Sequence, residues 1–217
     1  VAKCKDALMA GFTTFRDAGS VSEGLKLAFD EGVLPGPRIY PCGAYISQTC
    51  GHGDSEYAHT YRDIQYRHPS STVLADGVPE IIRAVREQFY RGASHIKLMA
   101  TEILNRHEDI RLLFGTDMMI TGPDYQVEQS EDIRYYEKRF GTMRALRALT
   151  GTANEVFALT TYQNPYPKGK IGVLEAGSYA DLLLVDGDPT KRVSVLADTD
   201  HLRLIMKGGT VYKNTLC

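Results

Sequence analysis

The sequence has no long apolar run and almost no net charge. Its apolar runs stay below the roughly 18 residues that span a bilayer, so no membrane segment is predicted. Twenty-five basic residues against 27 acidic ones give a net charge of −2. That balance gives no reason to expect a nucleic acid or an acidic membrane surface as a partner. Neither class of partner is therefore indicated by the composition.

Cysteines are few, and none of them lie in a CxxC motif. The four residues are Cys4, Cys42, Cys50 and Cys217. Their spacing argues against a structural zinc site of the ribbon type. Scattered cysteines are typical of reduced thiols in a cytosolic protein, although secreted proteins of this size also carry few disulfides. No signal peptide is visible after Val1, so a cytoplasmic location is expected, and the missing initial methionine suggests that the native N-terminus is absent.

The first half of the chain alternates between strand and helix patterns. A β-rich run covers 12–17, a helix follows from Ser22 to Gly32, and a second strand is predicted over 38–44. A further helix is predicted from Asp76, as N-cap, to Gly92, and a strand containing Lys97 follows at once. This alternation predicts parallel strands and an α/β fold.

The rest of the chain is predicted to contain polar loops, two helices and a small β unit. Long polar loops are predicted over about 45–75 and from Asp117 to about 138. Amphipathic helices are predicted over Thr142–Leu149 and from a capping box at Thr152–Glu155. Period-two segments then predict a small β unit, with a strand over 180–185 and a hairpin of 201–206 with 210–213.

Two apolar runs end in polar side chains. They are His95–Thr101, which contains Lys97, and Arg111–Asp117. Short apolar runs of this kind are typical of buried parallel strands. At the carboxyl rim of a β/α barrel such terminal residues usually belong to the active site.

Together, several motifs resemble the metal-dependent amidohydrolase superfamily, in its imidazolonepropionase-like and prolidase-like branch. The motifs, which also follow the family's order, are Gly11–Asp17, Gly36–Arg38 through Gly51–Asp54, Ile96–Ala100, Phe114–Asp117, and the tail segments Gly169–Gly172, Ala180–Pro189 and Ile205–Gly209. The resemblance implies an α/β fold with an incomplete (β/α)8 TIM-like barrel over residues 1–160. It also implies a small C-terminal β unit, part of a β-sandwich, over residues 161–217.

The resemblance also implies a metal centre. In that family the metal ligands are an HxH pair, a carboxylated lysine, two single histidines and an aspartate. Lys97 matches the lysine, and Asp117 matches the aspartate, which also acts as the catalytic base. The implied cofactor is a divalent metal, with Zn²⁺ expected. His52 and Asp54, in a loop over the same rim, are candidate substrate-binding residues, with plain loop hydrogen bonding as the alternative. A strand-edge lysine and a loop-capping aspartate are the simpler interpretations of Lys97 and Asp117.

Most of the family's ligand positions have no counterpart. No HxH occurs among the six histidines, and only Thr101–Ile110 separate the two matched strands. A βα unit needs about 30 residues, so the strands that would carry the single histidines do not fit there. A whole barrel takes about 250 residues. The sequence therefore predicts a member that is truncated and internally deleted.

Three functional hypotheses remain open. The first is a hydrolase of amide, cyclic amide or dipeptide C–N bonds, in which metal-activated water attacks the carbonyl of a small-molecule amide or peptide. The second is a catalytically inactive remnant, and the third is a structural subunit that completes its barrel with another chain. A homo-oligomer is compatible with each. Because Lys97 and Asp117 are too few ligands for a catalytic metal, the isolated chain is expected to be inactive.

Overall fold

The structure is a computed structural model that describes residues 1–19, 23–51, 53–54, 72–98, 113–116 and 123–216, without the side chains of 123–128. The described helices and strands are α1 Ala2–Met9, β1 Thr14–Arg16, α2 Glu23–Asp30, β2 Arg38–Tyr40, β3 Tyr45–Ser47, β4 Thr72–Leu74, α3 Val78–Tyr90, α4 Pro123–Phe140, α5 Thr142–Leu149, α6 Gly151–Ala158, β5 Leu182–Val185, β6 Leu202–Lys207 and β7 Thr210–Asn214. Short 3₁₀ turns lie at Thr161–Gln163, Val193–Ala197 and Thr199–His201.

The strands of the first half pair in parallel, as predicted. β1 pairs with β2, with Phe15 opposite Ile39, and β3 pairs with β4. On its other side β3 forms a parallel bridge from Ile46 to Leu98, next to Lys97. Parallel strands need crossover connections, and α2 and α3 lie in the segments that link these strands. The α/β prediction for this half is therefore confirmed.

The strand expected over 38–44 is shorter than predicted, because β2 ends at Tyr40 and the next strand, β3, begins only at Tyr45. The break falls at Pro41–Ala44, where proline lacks an N–H group and Gly43 has a φ of +68°. The loop expected over 45–75 is wrong at both ends, because β3 and β4 occupy them. Their β-branched and aromatic residues favour extended backbone, and they pair with each other across the connection.

Helix α3 confirms the prediction for this region, but its cap differs. Gly77 occupies the N-cap position with a φ of +78° and makes no side-chain cap. The carboxylate of Asp76 instead accepts hydrogen bonds from the backbone N–H and the hydroxyl of Thr49. Asp76 thus ties the loop after β3 to the start of α3.

Helix α4 lies where a polar loop was expected, so that part of the prediction is wrong. The segment has few apolar residues, and its helix buries a narrow face that includes Gln129, Ser130 and Ile133. Ile133 packs with Ala145 of α5 and Val193 in a common cluster. Tertiary packing of this face stabilises a helix that lacks a wide apolar stripe.

Helix α5 has the predicted bounds, and α6 starts slightly earlier than predicted. Thr152 lies inside α6, and the N-cap residue Thr150 makes no side-chain cap, so the predicted capping box is wrong. Thr150 has a φ of −132° and a ψ of −96°, which are not helical values, so it forms the connection between α5 and α6. Thr150 instead donates its hydroxyl to the carbonyl of Leu146.

The C-terminal strands form an antiparallel sheet in the order β5-β6-β7. The predicted hairpin is confirmed, and its turn uses Gly208 and Gly209 at φ of +56° and +82°. The buried face of β6 includes Leu202 and Ile205. This sheet stays antiparallel and small, as the period-two pattern predicted.

Strand β2 is covered on both faces. Ile39 packs with Cys4 and Phe29, while Tyr40 packs with Phe157 and Tyr166. Burial on both faces is typical of strands in α/β proteins. The sheets within the described ranges are small and do not close into a barrel. Within those ranges no helix is both long enough and apolar enough to cross a membrane.

Candidate functional site

Lys97 lies beside β3, in a segment that is described as far as Leu98. Its carbonyl accepts a hydrogen bond from the N–H of Ile46 at 2.9 Å, and its side chain is partly buried. The neighbouring bridge between Ile46 and Leu98 is parallel. Leu98 thus lies opposite the central residue of β3, Lys97 lies level with its first residue, Tyr45, and a role for Lys97 in a ligand site stays a prediction.

Asp54 lies in the turn that follows β3. Its carboxylate accepts the N–H of Cys50 at 2.7 Å, and its own N–H donates to Gly51 at 2.9 Å. The N–H of Gly53 donates to the hydroxyl of Ser47. These contacts are those of the loop hydrogen-bonding alternative. The role of Asp54 in substrate binding stays a prediction.

His52 and Asp117 lie outside the described residues, so the predicted proximity of Lys97 and Asp117 stays a prediction. The described part of the expected Asp117 strand, residues 113–116, is not a strand. Phe114 stacks on Phe12 with ring centroids 5.9 Å apart, and its N–H donates to the carbonyl of Ala148. Packing against aromatic rings and α5 replaces the expected strand pairing there.

A cluster of two buried groups, Asp17 and Cys42, and the partly buried His95 was missed in the sequence analysis. Asp17, directly after β1, is only 5% exposed and accepts the N–H of Gly19 at 3.1 Å. The thiol of Cys42 lies 3.7 Å from the other carboxylate oxygen of Asp17. Nε2 of His95 lies 2.9 Å from the backbone carbonyl of Asp17 and donates its hydrogen there. The signal was available for Asp17, since it is a polar residue that directly follows a predicted strand.

Burial shifts the pKa values of His95 and Cys42 and so determines their protonation states. It lowers the pKa of His95 to about 4, and the charge of Arg16 acts in the same direction. Burial, followed by the negative charge of Asp17, raises the pKa of the Cys42 thiol to about 12. At neutral pH the histidine is therefore neutral and the thiol protonated. The contacts of Asp17 with Cys42 and His95 link β1, the segment after β2 and the segment that contains Lys97. Because the Cys42 thiol is protonated, it is not an activated nucleophile.

The described residues do not fit the metal centre that the resemblance implies. Among them, no three histidine, cysteine, aspartate or glutamate residues converge on a common point. His95 uses its Nε2 for the Asp17 carbonyl, and its Nδ1 lies 3.1 Å from the Ser94 hydroxyl. Lys97 is the one proposed ligand within the described residues, and a single ligand does not hold a metal ion.

The comparisons with known proteins agree with this architecture. No family model matches the chain. Ochratoxinase from Aspergillus niger is 38% identical to the chain over 108 residues, which cover 45% of this chain. The match spans only 22% of that relative, about a fifth of its length.

Several solved structures are similar over nearly the whole chain. An amidohydrolase structure matches 99% of this chain and 78% of its own, with a TM-score of 0.76 and 21% identity. A prolidase complexed with N-methylphosphonate-L-proline matches 98% and 78%, with a TM-score of 0.71 and 20% identity. The Aspergillus niger ochratoxinase structure matches 98% and 74%, with a TM-score of 0.68 and 19% identity.

The fold is thus that of amidohydrolase structures, which indicates a TIM-barrel-like class. The predicted resemblance to amidohydrolases is confirmed as a likeness of fold over nearly the whole chain. Together with the ochratoxinase match, these similarities are consistent with an amidohydrolase-superfamily member.

Proposed function

We propose that this chain carries the scaffold of a metal-dependent hydrolase of C–N bonds, and that the isolated 217-residue chain is catalytically inactive. The substrates of the whole scaffold would be small amides, cyclic amides or dipeptides. The observation that carries the proposal is the similarity of fold to amidohydrolase and prolidase structures over nearly the whole chain. It is supported by the parallel packing of the segment that contains Lys97 against β3.

The similar proteins support the hydrolase part. Their names include amidohydrolase, prolidase and ochratoxinase, and the prolidase was solved with a phosphonate-containing proline derivative. A divalent metal, with Zn²⁺ as the expected ion, belongs to the same proposal. Lys97 and Asp117 would be its ligands, and Asp117 its base.

The number of metal ligands in the sequence supports the proposed inactivity of the isolated chain. A catalytic zinc site usually has about three protein ligands and one open position. The sequence has no HxH pair, and only ten residues, Thr101–Ile110, separate the two matched strands. Lys97 and Asp117 alone leave the ion largely hydrated, and its bound water then keeps a pKa of about 9.

The proposal includes a division of the chain into two units. Residues 1–160 would be an incomplete (β/α)8 barrel, with strands resembling the second, third, fourth and eighth of the family. Residues 161–217 would be the C-terminal part of a small β-sandwich. The parallel pairing of β1 with β2 and the antiparallel sheet of β5, β6 and β7 support this division.

A hydrolysis assay tests the proposal. The purified chain is incubated with N-acetyl-L-phenylalanine and with glycyl-L-proline, with Zn²⁺ added, and free amino acid is measured. We expect release no faster than in buffer, and the same rate for Asp117→Asn. Turnover by the unmodified chain that Asp117→Asn abolishes would show that the chain builds a working site and would refute its proposed inactivity.

A further inference from the structure

Helix α4 has an outer face that is exposed to solvent. Its buried face includes Gln129, which is 2% exposed, and Ile133, which packs with Val193. The exposed side chains on the other side of the helix are Glu131, Arg134, Tyr135, Lys138 and Arg139. Tyr135 is 60% exposed, so the outer face includes aromatic surface as well as charges.

Two further residues belong to the outer face by their position in the helix. An α-helix has 3.6 residues per turn, so Asp124 and Glu128 lie on the same side as Glu131, Tyr135 and Lys138. Along the chain these five residues follow one another at spacings of four, three, four and three. This is the spacing of a helical stripe that meets a second helix along its length.

The acidic residues of the outer face all precede its basic residues. In chain order these residues are Asp124, Glu128, Glu131, Arg134, Lys138 and Arg139. Arg144 of α5 extends the basic end, since its guanidinium and that of Arg139 lie 5.6 and 6.0 Å from the ring centroid of Phe140. None of the ion pairs among the described residues includes Lys138, Arg139 or Arg144. These cations are therefore available to carboxylates of a partner.

We propose that the outer face of α4 is an interface between two copies of this chain, packed antiparallel about a two-fold axis near Glu131. Asp124 of one copy then lies level with Lys138 of the other, and Glu128 lies level with Arg134. The two-fold axis repeats both pairs, so the face is complementary to itself. Parallel packing would instead bring like charges together.

The centre of this interface combines apolar and charged contacts. In the same register Tyr135 lies level with Val127 of the second copy, and Tyr is enriched in interfaces because its ring buries a large area. Glu131 lies near the axis, with Arg134 of the second copy less than one turn away along the helix. The net charge of −2 per chain opposes the association of two copies only weakly.

The size of the face determines the expected affinity. Helix α4 has 18 residues, which corresponds to a length of about 27 Å. A stable interface buries about 800 Å² on each partner, which is more than a single helix pair provides. We therefore expect a weak dimer with a dissociation constant of about 10–100 μM, which depends strongly on salt.

Sedimentation equilibrium of the full chain tests the interface. At about 50 mM NaCl the average mass should rise with protein concentration toward that of two chains, and at about 0.5 M NaCl the dissociation constant should rise at least about tenfold. A constant monomer mass, or association that salt does not weaken, would overturn the proposal. Growth beyond two copies would also overturn it, because a two-fold helix pair closes at the dimer.

Two charge-reversed proteins locate the contact. One carries Lys138→Glu with Arg139→Glu, and the other carries Asp124→Lys with Glu128→Lys. Each alone should dimerise at least about tenfold more weakly than the unmodified chain, since like charges then face each other. An equimolar mixture should recover the original affinity, because both sets of pairs are again complementary. Weak association of the mixture would refute the assignment, and a loss of helix stability alone does not produce recovery.

A matched control reverses two exposed arginines on another helix. Arg83→Glu with Arg86→Glu on α3 changes the net charge as much as the reversal of Lys138 and Arg139 does. The control should dimerise like the unmodified chain, and an equal loss in both proteins would contradict a contact through α4. The measurement needs neither metal nor turnover, so its outcome is independent of the proposed hydrolase function.

Discussion

At the residue scale, one buried ion pair joins the C-terminal sheet to the parallel strands. Arg38 of β2 contacts Asp181 at 2.5 Å, and their side chains are 7% and 8% exposed. The guanidinium lies 4.2 Å from the ring centroid of Tyr179, and the other carboxylate oxygen of Asp181 accepts the N–H of Gly208. Removing one partner would leave a buried charge without compensation.

Asp181→Asn should therefore destabilise the protein strongly. The amide oxygen can still accept from Gly208, but it leaves the charge of Arg38 unbalanced. We expect the free energy of unfolding, measured by urea denaturation, to fall by about 3–5 kcal/mol. Glu175→Gln, which breaks the exposed pair with Lys170, is the control and should cost about 0–1 kcal/mol. Similar losses in both variants would contradict the structural role of the buried pair.

A glutamate near the end of α4 holds two neighbouring segments. The carboxylate of Glu137 accepts the N–H groups of Val193 and Ser194 at 2.8 and 3.1 Å, and the hydroxyl of Thr142 at 3.0 Å. Burial would raise the pKa of Glu137, but the hydrogen bonds from these three residues outweigh it and hold the pKa below its ordinary value. The ionised form is therefore favoured by the fold.

Glu137→Ala should reduce the free energy of unfolding at pH 7 by about 1–3 kcal/mol, because it leaves backbone donors without their charged acceptor. Since folding lowers this pKa, the stabilisation is present above the ordinary value of 4.5 and is lost as the pH falls through the lower folded value. Urea denaturation at pH 7 and at lower pH should show the difference from the unmodified protein shrinking. The exposed Glu131→Ala on the same helix is the control. A difference independent of pH would contradict the role of the ionised carboxylate.

At the scale of elements, periodicity predicted best where one face is clearly apolar. The bounds of α5 and the hairpin of β6 and β7 followed directly from their patterns. Helix α4 did not, because its buried face consists partly of Gln129 and Ser130, and no local pattern distinguishes such polar burial from a surface loop. Its stability depends on tertiary contacts, including those of Ile133 with Val193.

The pairing of β4 with β3 was not predicted from the sequence either. β4 is three residues long and pairs with β3 across a connection that looked like a loop. Of the candidate site, the sequence predicted that the segment containing Lys97 lies beside a parallel strand, while the role of Lys97 stays a prediction. The neighbouring cluster of Asp17, Cys42 and His95 depends on contacts between three separate segments, which sequence spacing does not encode.

At the scale of the whole molecule, the fold is that of amidohydrolase structures, but the described residues do not form a cluster of metal ligands. The chain resembles amidohydrolase structures over nearly its whole length, with a TM-score of up to 0.76 among those compared. Within the described ranges, however, no cluster of three potential ligands assembles, and the sequence has no HxH pair. Our proposal is therefore that the chain is a hydrolase scaffold whose isolated form does not hold a catalytic metal.

Zinc stoichiometry tests this claim most directly. The chain is equilibrated with Zn²⁺, dialysed against buffer and analysed for bound metal, alongside Lys97→Met and Asp117→Asn. We predict much less than one zinc per chain after dialysis, with no difference between the three proteins, since two ligands hold the ion weakly. One tightly bound zinc per chain that is lost in both variants would contradict the account.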